Sequence, residues 1–574
     1  MPTLDWIGKK AVVEHHKQVP FHLLRCNDAL SVGEPGSGNL LVQGDNLLAL
    51  KALLPYYAGQ VKCIYIDPPY NTGNEGWVYN DNVNSPEMRE WLGKTVGKEI
   101  EDLSRHDKWL CMMYPRLALL RDFLRDDGVI MISIDDNELA NLTVLVNEIF
   151  GTNNVLATLV WEKGKKGDAK FFSVSHEYIV VAAKNKAHLI ANNTKWRRSK
   201  PGVDQVLTYY NDLREQHKGD HDAIRKDIMA WYRSLPAKHP AKAHKHYNCS
   251  DDRGLYFPDN FHGPDDGREN RPRYDIIHPI TGQPVKKPST GWRWEEATTL
   301  QALAEVPPRI HFGPTHNTIP CRKSYLFEID KEPFPSVFYK DGRAATLEVE
   351  QMLGPGSFAF PKDSEVLADL IGMVTEKNDT ILDSFGGSGT TGHAVLKLNH
   401  ADRGQRKFIL VEMDKEICQT RTRERLASVI NGYTVGKKES KSLVPALGGG
   451  FRFCELGEPL FSSAGTIEDD TVSFKDLAHH VFFIATGEPL SHESDLKTPF
   501  LGVSKCVAVY LLYNGILGDK SVNGGNILTR EILASLPPHD GTRIIYGNGC
   551  RIGPERLRRE NIIFRQIPYE VRVS

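Results

Sequence analysis

No apolar run in the 574-residue chain approaches the roughly 18 residues that a membrane span needs. The opening segment, Met1-Pro-Thr-Leu-Asp-Trp-Ile-Gly-Lys-Lys10, lacks the apolar stretch of a signal peptide. These absences predict a cytoplasmic protein with no membrane partner. Cys-x-x-Cys pairs are also missing: the 9 cysteines are scattered, which argues against a disulfide framework and against a zinc ribbon. An excess of one charge is lacking too, since 71 Lys+Arg face 73 Asp+Glu. With 40% hydrophobic and 25% charged residues, the composition is that of a globular protein and excludes collagen-like, coiled-coil and wholly disordered chains. No internal repeat is present. At this length two or three domains with sizeable cores are expected.

The balanced charge hides a local excess. From Trp161 to Ser250 there are 18 Lys+Arg against 9 Asp+Glu, so this stretch is +9 and the remainder −11. Trp161, Phe171, Phe172, Tyr178, Trp196, Tyr209, Tyr210, Trp231, Tyr232 and Tyr247 are interleaved with the positive charge. Such a composition can neutralise phosphates and offer stacking faces, or it can be a solvated basic surface. Lys163, Lys165, Lys166, Lys195, Arg197, Arg198 and Lys200 are the candidates for phosphate contact.

Between Asn39 and Tyr210 short β-rich runs alternate with helical patterns, the rhythm of an α/β fold with a parallel sheet. Strands are expected at 39–44, 61–66, 128–134 and 178–183, with helices at 45–54, 109–125 and 136–150. Periodicity degrades from Ala191 to Gly354, a stretch rich in Pro, Gly, His and Trp, which reads as an inserted recognition domain. The pattern then resumes, with a helix at 364–375, a strand at 380–385, a Gly-rich turn, a helix at 389–398 and a strand at 407–412. The expected organisation is two halves of one α/β domain, 1–190 and 355–435, around an insert at 191–354. A linker at 436–450 and a small C-terminal α/β domain at 451–574 follow.

Two motifs carry chemistry. Asp67-Pro68-Pro69-Tyr70 follows the strand 61–66, and strand ends of open parallel sheets are where such folds bind ligands. The prolines fix the backbone, so one carboxylate and one aromatic ring stay close together. Asp383-Ser384-Phe385-Gly386-Gly387-Ser388-Gly389-Thr390-Thr391-Gly392 lies between a strand and a helix. Its glycines permit a tight turn and close approach of a ligand to unpaired N–H groups. Gly387, Gly389 and Gly392 satisfy G-x-G-x-x-G, and Glu412, 23 residues beyond Gly389, ends the next strand where a carboxylate can grip ribose hydroxyls. Gly33-Glu-Pro-Gly-Ser-Gly38 lacks the Lys and Ser/Thr of a phosphate loop. His239, His244, His246 and Cys249 match no standard zinc spacing, so no metal is expected.

An Asp-Pro-Pro-Tyr motif combined with a Phe-x-Gly-x-Gly turn resembles the amino-group DNA methyltransferases that use S-adenosylmethionine. The order here, with the Asp67 motif early, the glycine turn late and an insert between, is similar to the permuted β group. The resemblance extends to the Mod subunits of type III restriction-modification systems through Gly44 to Leu50, Asp127 to Asp136, Ser175 to Tyr178, Gly291 to Trp294 and Phe358 to Lys362. It implies a Rossmann-like methyltransferase sheet with an inserted target-recognition domain, acting on N6 of adenine by base flipping. Asp67, Pro68, Pro69 and Tyr70 would be catalytic. Asp45, Phe360, Lys362, Asp383, Phe385, Gly386, Gly387, Ser388, Gly389, Thr390, Thr391 and Glu412 would hold S-adenosylmethionine. His176-Glu177-Tyr178 matches a family segment near the base pocket, or is simply a strand start. The implied partners are double-stranded DNA, a second copy of the chain, and a separate restriction subunit carrying helicase and nuclease. The N4 amine of cytosine is the alternative target. Pro320-Cys321 lies in the irregular insert, which speaks against a thiolate nucleophile on cytosine carbon 5. A non-catalytic DNA reader and a dinucleotide-dependent oxidoreductase are the other classes: the intact Asp67 to Tyr70 motif and glycine turn argue against the first, and the second explains neither Asp67 to Tyr70 nor the basic insert.

Overall fold

The computed structural model describes residues 4–72, 100–164, 171–266, 270–436, 442–461, 466–467, 472–491, 496–519 and 525–568. Ten described strands form one mixed sheet: β1 (His22–Gly33), β2 (Leu40–Gln43), β3 (Val61–Ile66), β4 (Leu124–Ile134), β5 (Val155–Glu162), β6 (His176–Ala183), β7 (Val337–Tyr339), β8 (Thr380–Asp383), β9 (Lys407–Glu412) and β10 (Gly450–Pro459). Their order is β1-β10-β2-β9-β8-β3-β4-β6-β5-β7. Neighbours from β10 through β4 run parallel, while β1 and β6 run antiparallel to the strands beside them.

The central strands are apolar at nearly every position because helices cover both faces. All six residues of β3, Val-Lys-Cys-Ile-Tyr-Ile, are buried. Lys62 reaches that state by ending on Asp127, with Nζ 2.8 Å from Oδ2. The helices Asn46–Tyr57 and Ile100–Phe123 pack a core around Leu50, Leu53, Trp109, Met113, Leu117 and Phe123 against β3 and β4. No helix among the described residues is long and apolar enough to cross a membrane.

The chain divides into two compact units, residues 1–195 with 335–574, and residues 196–334. The boundaries therefore fall at 196 and 334 rather than at 191 and 354. At the downstream end, β7 joins the main sheet through Val337 to Tyr339 on β5, and the helix Gly342–Leu353 follows it. The second unit combines the helices Val203–Gln216 and His221–Ser234 with a four-stranded sheet that includes Leu255–Asp259 and Cys321–Tyr325. Trp292 is fully buried there against Phe261 and Tyr274.

The C-terminal segment departs from expectation. Gly450–Pro459 enters the main sheet between β1 and β2 instead of opening a separate domain. Phe21 and Leu23 share one core with Leu477, Val481, Leu501 and Val509. The smaller sheet Phe500–Ser504, Val507–Leu511, Thr542–Gly547 and Ile562–Gln566 is thus built onto the first unit. A disulfide joins Cys26 to Cys454, which the cysteine spacing did not predict. The two are 428 residues apart in sequence, and antiparallel register sets them directly opposite on β1 and β10.

Candidate active site

Asp67 to Tyr70 leave the end of β3, and Asp383 leaves the end of its parallel neighbour β8. Register places Leu382 beside Ile64, so both loops emerge at the same edge of the sheet. The Asp67 turn is pinned from below. Trp109 Nε1 donates to the Pro69 carbonyl at 2.8 Å. Asn71, in the left-handed region at φ 59°, donates through Nδ2 to the buried Glu138 carboxylate, which His106 Nδ1 also meets at 2.7 Å.

Four charges gather around Tyr70. Lys362 Nζ lies 2.6 Å from Asp67 Oδ2, 3.7 Å from Glu177 Oε2 and 5.0 Å over the centroid of the Tyr70 ring. Glu177 Oε2 also accepts from Lys163 Nζ at 2.6 Å and from the Tyr70 hydroxyl at 3.1 Å. Asp67 Oδ1 and Glu177 Oε1 are buried with no hydrogen-bond partner among the described residues. Burial, then the charges of Asp67 and Glu177, push the Tyr70 hydroxyl far above its ordinary range, so it stays a neutral donor. Burial alone would lower Lys362, yet the two carboxylates outweigh it and keep this ammonium charged. Burial and the neighbouring Lys362 lower Lys163.

The Gly-rich turn is a second, adjoining construction. Asp383 is fully engaged: Oδ1 accepts from Phe385 N at 2.9 Å and Oδ2 from Thr391 Oγ1 at 2.6 Å. Gly386 N donates to Val411 O at 2.8 Å, tying the turn to β9. Gly387 and Gly389 take left-handed φ of 48° and 79°, where a side chain would strain the chain. The Glu412 carboxylate accepts from Gly387 N at 2.7 Å and from Asp414 N at 2.9 Å. Burial raises both Asp383 and Glu412 to about 7.

Behind the turn, fully buried Arg425 donates to Ser388 Oγ and Thr390 Oγ1, each at 2.8 Å, and lies 3.2 Å from Glu348 Oε2.

The structure brings together Asp67, Pro68, Pro69, Tyr70 and Lys362 on one side, and Asp383, Phe385, Gly386, Gly387, Ser388, Gly389, Thr390, Thr391 and Glu412 on the other. Three expected contacts change. Asp45 caps the helix Asn46–Tyr57 by accepting from Leu47 N and Leu48 N, and its neighbour Asn46 is the residue that reaches the turn, at Ser384 O. Phe360 is 88% exposed with φ of 53°, while Phe358 stands where a Cβ on Gly387 would meet it at 3.5 Å. Lys362 turns its ammonium to Asp67, and only its carbonyl faces the turn, 3.4 Å from Thr390 Oγ1.

The basic stretch also separates. Lys163 belongs to the Tyr70 cluster. Arg198 pairs with Glu332 at 3.0 Å and stacks on Phe334, whereas Lys195 and Arg197 are exposed; the Lys200 amide is taken by Asp330 O. Lys165 and Lys166 lie outside the described residues. Trp161, Tyr210, Tyr232 and Tyr247 are core residues, which removes them as stacking faces, while Phe171 and Phe172 are exposed. Sequence reasoning missed Trp109 and Arg425. Both sit on helices whose apolar spacing conceals a polar contact aimed at a loop.

A DNA methylase family model (N6/N4 class) matches residues 61–423. The Mod subunit of the type III restriction-modification enzyme EcoP15I of Escherichia coli is 33% identical over 75% of this chain and 66% of its own length. The EcoPI Mod subunit of Escherichia phage P1 is 32% identical over 76% of this chain and 65% of its own. The type II methyltransferase M.KpnI of Klebsiella pneumoniae is 28% identical, covering 66% of this chain and 81% of that protein. The chain thus spans just under two thirds of the length of the two Mod subunits.

Proposed function

Because this chain belongs to the N6/N4 DNA methylase family, we propose that it is a site-specific DNA methyltransferase that places a methyl group on N6 of adenine in duplex DNA. Its likeness to Mod subunits supports a role as the modification subunit of a restriction-modification system, with translocation and cleavage on a separate polypeptide. The observation that carries this reading is the junction of β3 and β8, where the Asp67 turn and the Gly-rich turn open side by side. The chain order of these turns, with residues 196–334 between them, supports the permuted β arrangement.

The residues fit S-adenosylmethionine. Glu412 stands at a strand end with each oxygen already oriented by one backbone N–H, leaving further lone pairs for ribose hydroxyls. Ser384 Oγ is buried without a partner among the described residues, and Phe358 and Phe385 offer apolar walls. When bound, the cofactor supplies a methyl group already activated on a sulfonium.

The chain's own task is to bring the amine into line and make it nucleophilic. The lone pair of an exocyclic amine is delocalised into its ring. Asp67 and the Pro68 carbonyl, accepting its two hydrogens, favour the pyramidal geometry of the transition state and hold the positive charge that develops there. The Tyr70 ring stacks on the extruded base, returning about 1–3 kcal/mol against an extrusion cost of a few kcal/mol. Burial of the cluster strengthens each of these contacts.

The test is expression in a methylation-free host followed by long-read mapping of modified bases. N6-methyladenine at one recurring sequence is expected, and it should vanish in Asp67→Ala while DNA binding persists. Loss of one preorganised acceptor costs about 10²–10³ in rate. Methylation retained in Asp67→Ala, or modification at cytosine, would sink the corresponding part of the assignment.

A further inference from the structure

We propose that Lys362 is a placeholder for the target base: it occupies the ring face that the base needs and one of the two Asp67 oxygens, and yields them by moving from Asp67 to Glu177. The inference rests on the base-flipping reading above.

The geometry assigns Lys362 two seats. In the first, Nζ lies 2.6 Å from Asp67 Oδ2 and 5.0 Å over the Tyr70 ring. These are the places proposed for the amine hydrogens and for the stacked base. A base stacked on this face of Tyr70 and a lysine in this seat exclude each other; at Asp67 the lysine holds Oδ2, and Oδ1 has no partner among the described residues. The second seat is Glu177. Its Oε2 is 3.7 Å from Nζ already, and its Oε1 is buried with no partner among the described residues. A side chain with three rotatable donors can change acceptor without leaving the pocket.

The charge balance supports the exchange. Asp67 and Glu177 face Lys163 and Lys362, so the cluster is neutral in either seating. The base brings no charge. An ammonium buried without an acceptor would be costly, and Glu177 removes that cost as Asp67 is released to the amine. In the first seat Lys362 also keeps the Asp67 carboxylate from being a buried charge without a counter-ion. It acts on the reaction through Asp67, and so is a positioning residue.

The two seats predict opposite effects for two variants. With 2-aminopurine replacing the target adenine in a duplex carrying the mapped site, fluorescence reports the extruded base. S-adenosylhomocysteine affinity reports the cofactor side, and single-turnover methyl transfer on the unmodified duplex reports the chemistry. Lys362→Met removes the competitor: the extruded fraction is expected to hold or rise, while methyl transfer falls at least about 100-fold and S-adenosylhomocysteine affinity stays within about threefold. Glu177→Gln takes the charge from the second seat: Lys362 stays on Asp67, and the extruded fraction is expected to fall several-fold at unchanged S-adenosylhomocysteine affinity. Lys362→Arg keeps the charge and serves if the methionine variant does not fold. Its bulkier head should lower the extruded fraction.

Parallel loss of fluorescence and rate in both Lys362→Met and Glu177→Gln would assign the cluster a structural role only. Parallel loss of S-adenosylhomocysteine affinity and rate in Lys362→Met would return Lys362 to the cofactor site. Either result overturns the proposal. A wild-type protein that methylates no DNA would instead overturn the methyltransferase reading itself.

Discussion

Asp383 and Glu412 end neighbouring parallel strands, and burial raises both carboxyls to about 7 from ordinary values near 4. The folded protein therefore holds protons between about pH 4.5 and 7 that the unfolded chain has released. Stability contributed by these groups is present at the acidic end of that window and is lost as pH rises through about 7. Glu412→Gln removes one of the two titrations. Its stability relative to wild type should rise between pH 5 and pH 8 by on the order of 2 kcal/mol in the ligand-free protein. Urea denaturation at the two pH values checks this. A difference that does not change with pH would mean that Glu412 remains ionised in the fold. Glu412 was legible in the sequence from its place at a strand end 23 residues beyond Gly389. The contact between Lys362 and Asp67 was not, because it joins residues 295 apart and spacing along the chain says nothing about which side chains meet across a sheet edge.

The elements that carry the site were legible for the same reason that makes them stable. β3, β4, β8 and β9 lie inside a parallel sheet and read as short continuous apolar runs; β9 falls at 407–412 as expected. β1 and β10 were missed, since they lie at or near an edge, alternate more, and in the case of β10 follow a glycine stretch that reads as a linker. Arg425 was hidden in a helical pattern, yet it is the strut that holds the glycine turn. It ties Ser388 and Thr390 to Glu348, which Lys397 and Ser364 also engage. Arg425→Met would remove the donor that ties Ser388 and Thr390 to Glu348 and leave Glu348 with one cation fewer, and should destabilise the fold by about 3 kcal/mol. The same variant should weaken S-adenosylhomocysteine binding, because the turn loses its support at Ser388 and Thr390. Arg425→Lys keeps the charge without the fork, and an intermediate effect is expected. A loss of less than about 0.5 kcal/mol in Arg425→Met would remove the strut from the account.

Over the whole molecule, the near-zero net charge conceals a polarised chain, and the structure shows which part of the basic stretch is free to act on a polyanion. Lys163 is committed to Glu177, and Arg198 to Glu332 and Phe334. Lys195 and Arg197 are exposed. A lysine or arginine that contacts phosphate releases counter-ion on binding, so its removal flattens the dependence of affinity on salt by about one unit of log–log slope. A side chain already paired within the protein releases little, and its removal acts on stability instead. Lys195→Ala and Arg197→Ala should each weaken binding to the mapped duplex uniformly across sequences and lower the slope by about one. Arg198→Ala should leave the slope in place and lower the unfolding midpoint. Binding measured from about 50 to 200 mM salt separates the two behaviours, since contacts of this kind lose most of their affinity over that range. Slopes equal to wild type in Lys195→Ala and Arg197→Ala would exclude both from the DNA interface and leave the basic stretch as a solvated surface.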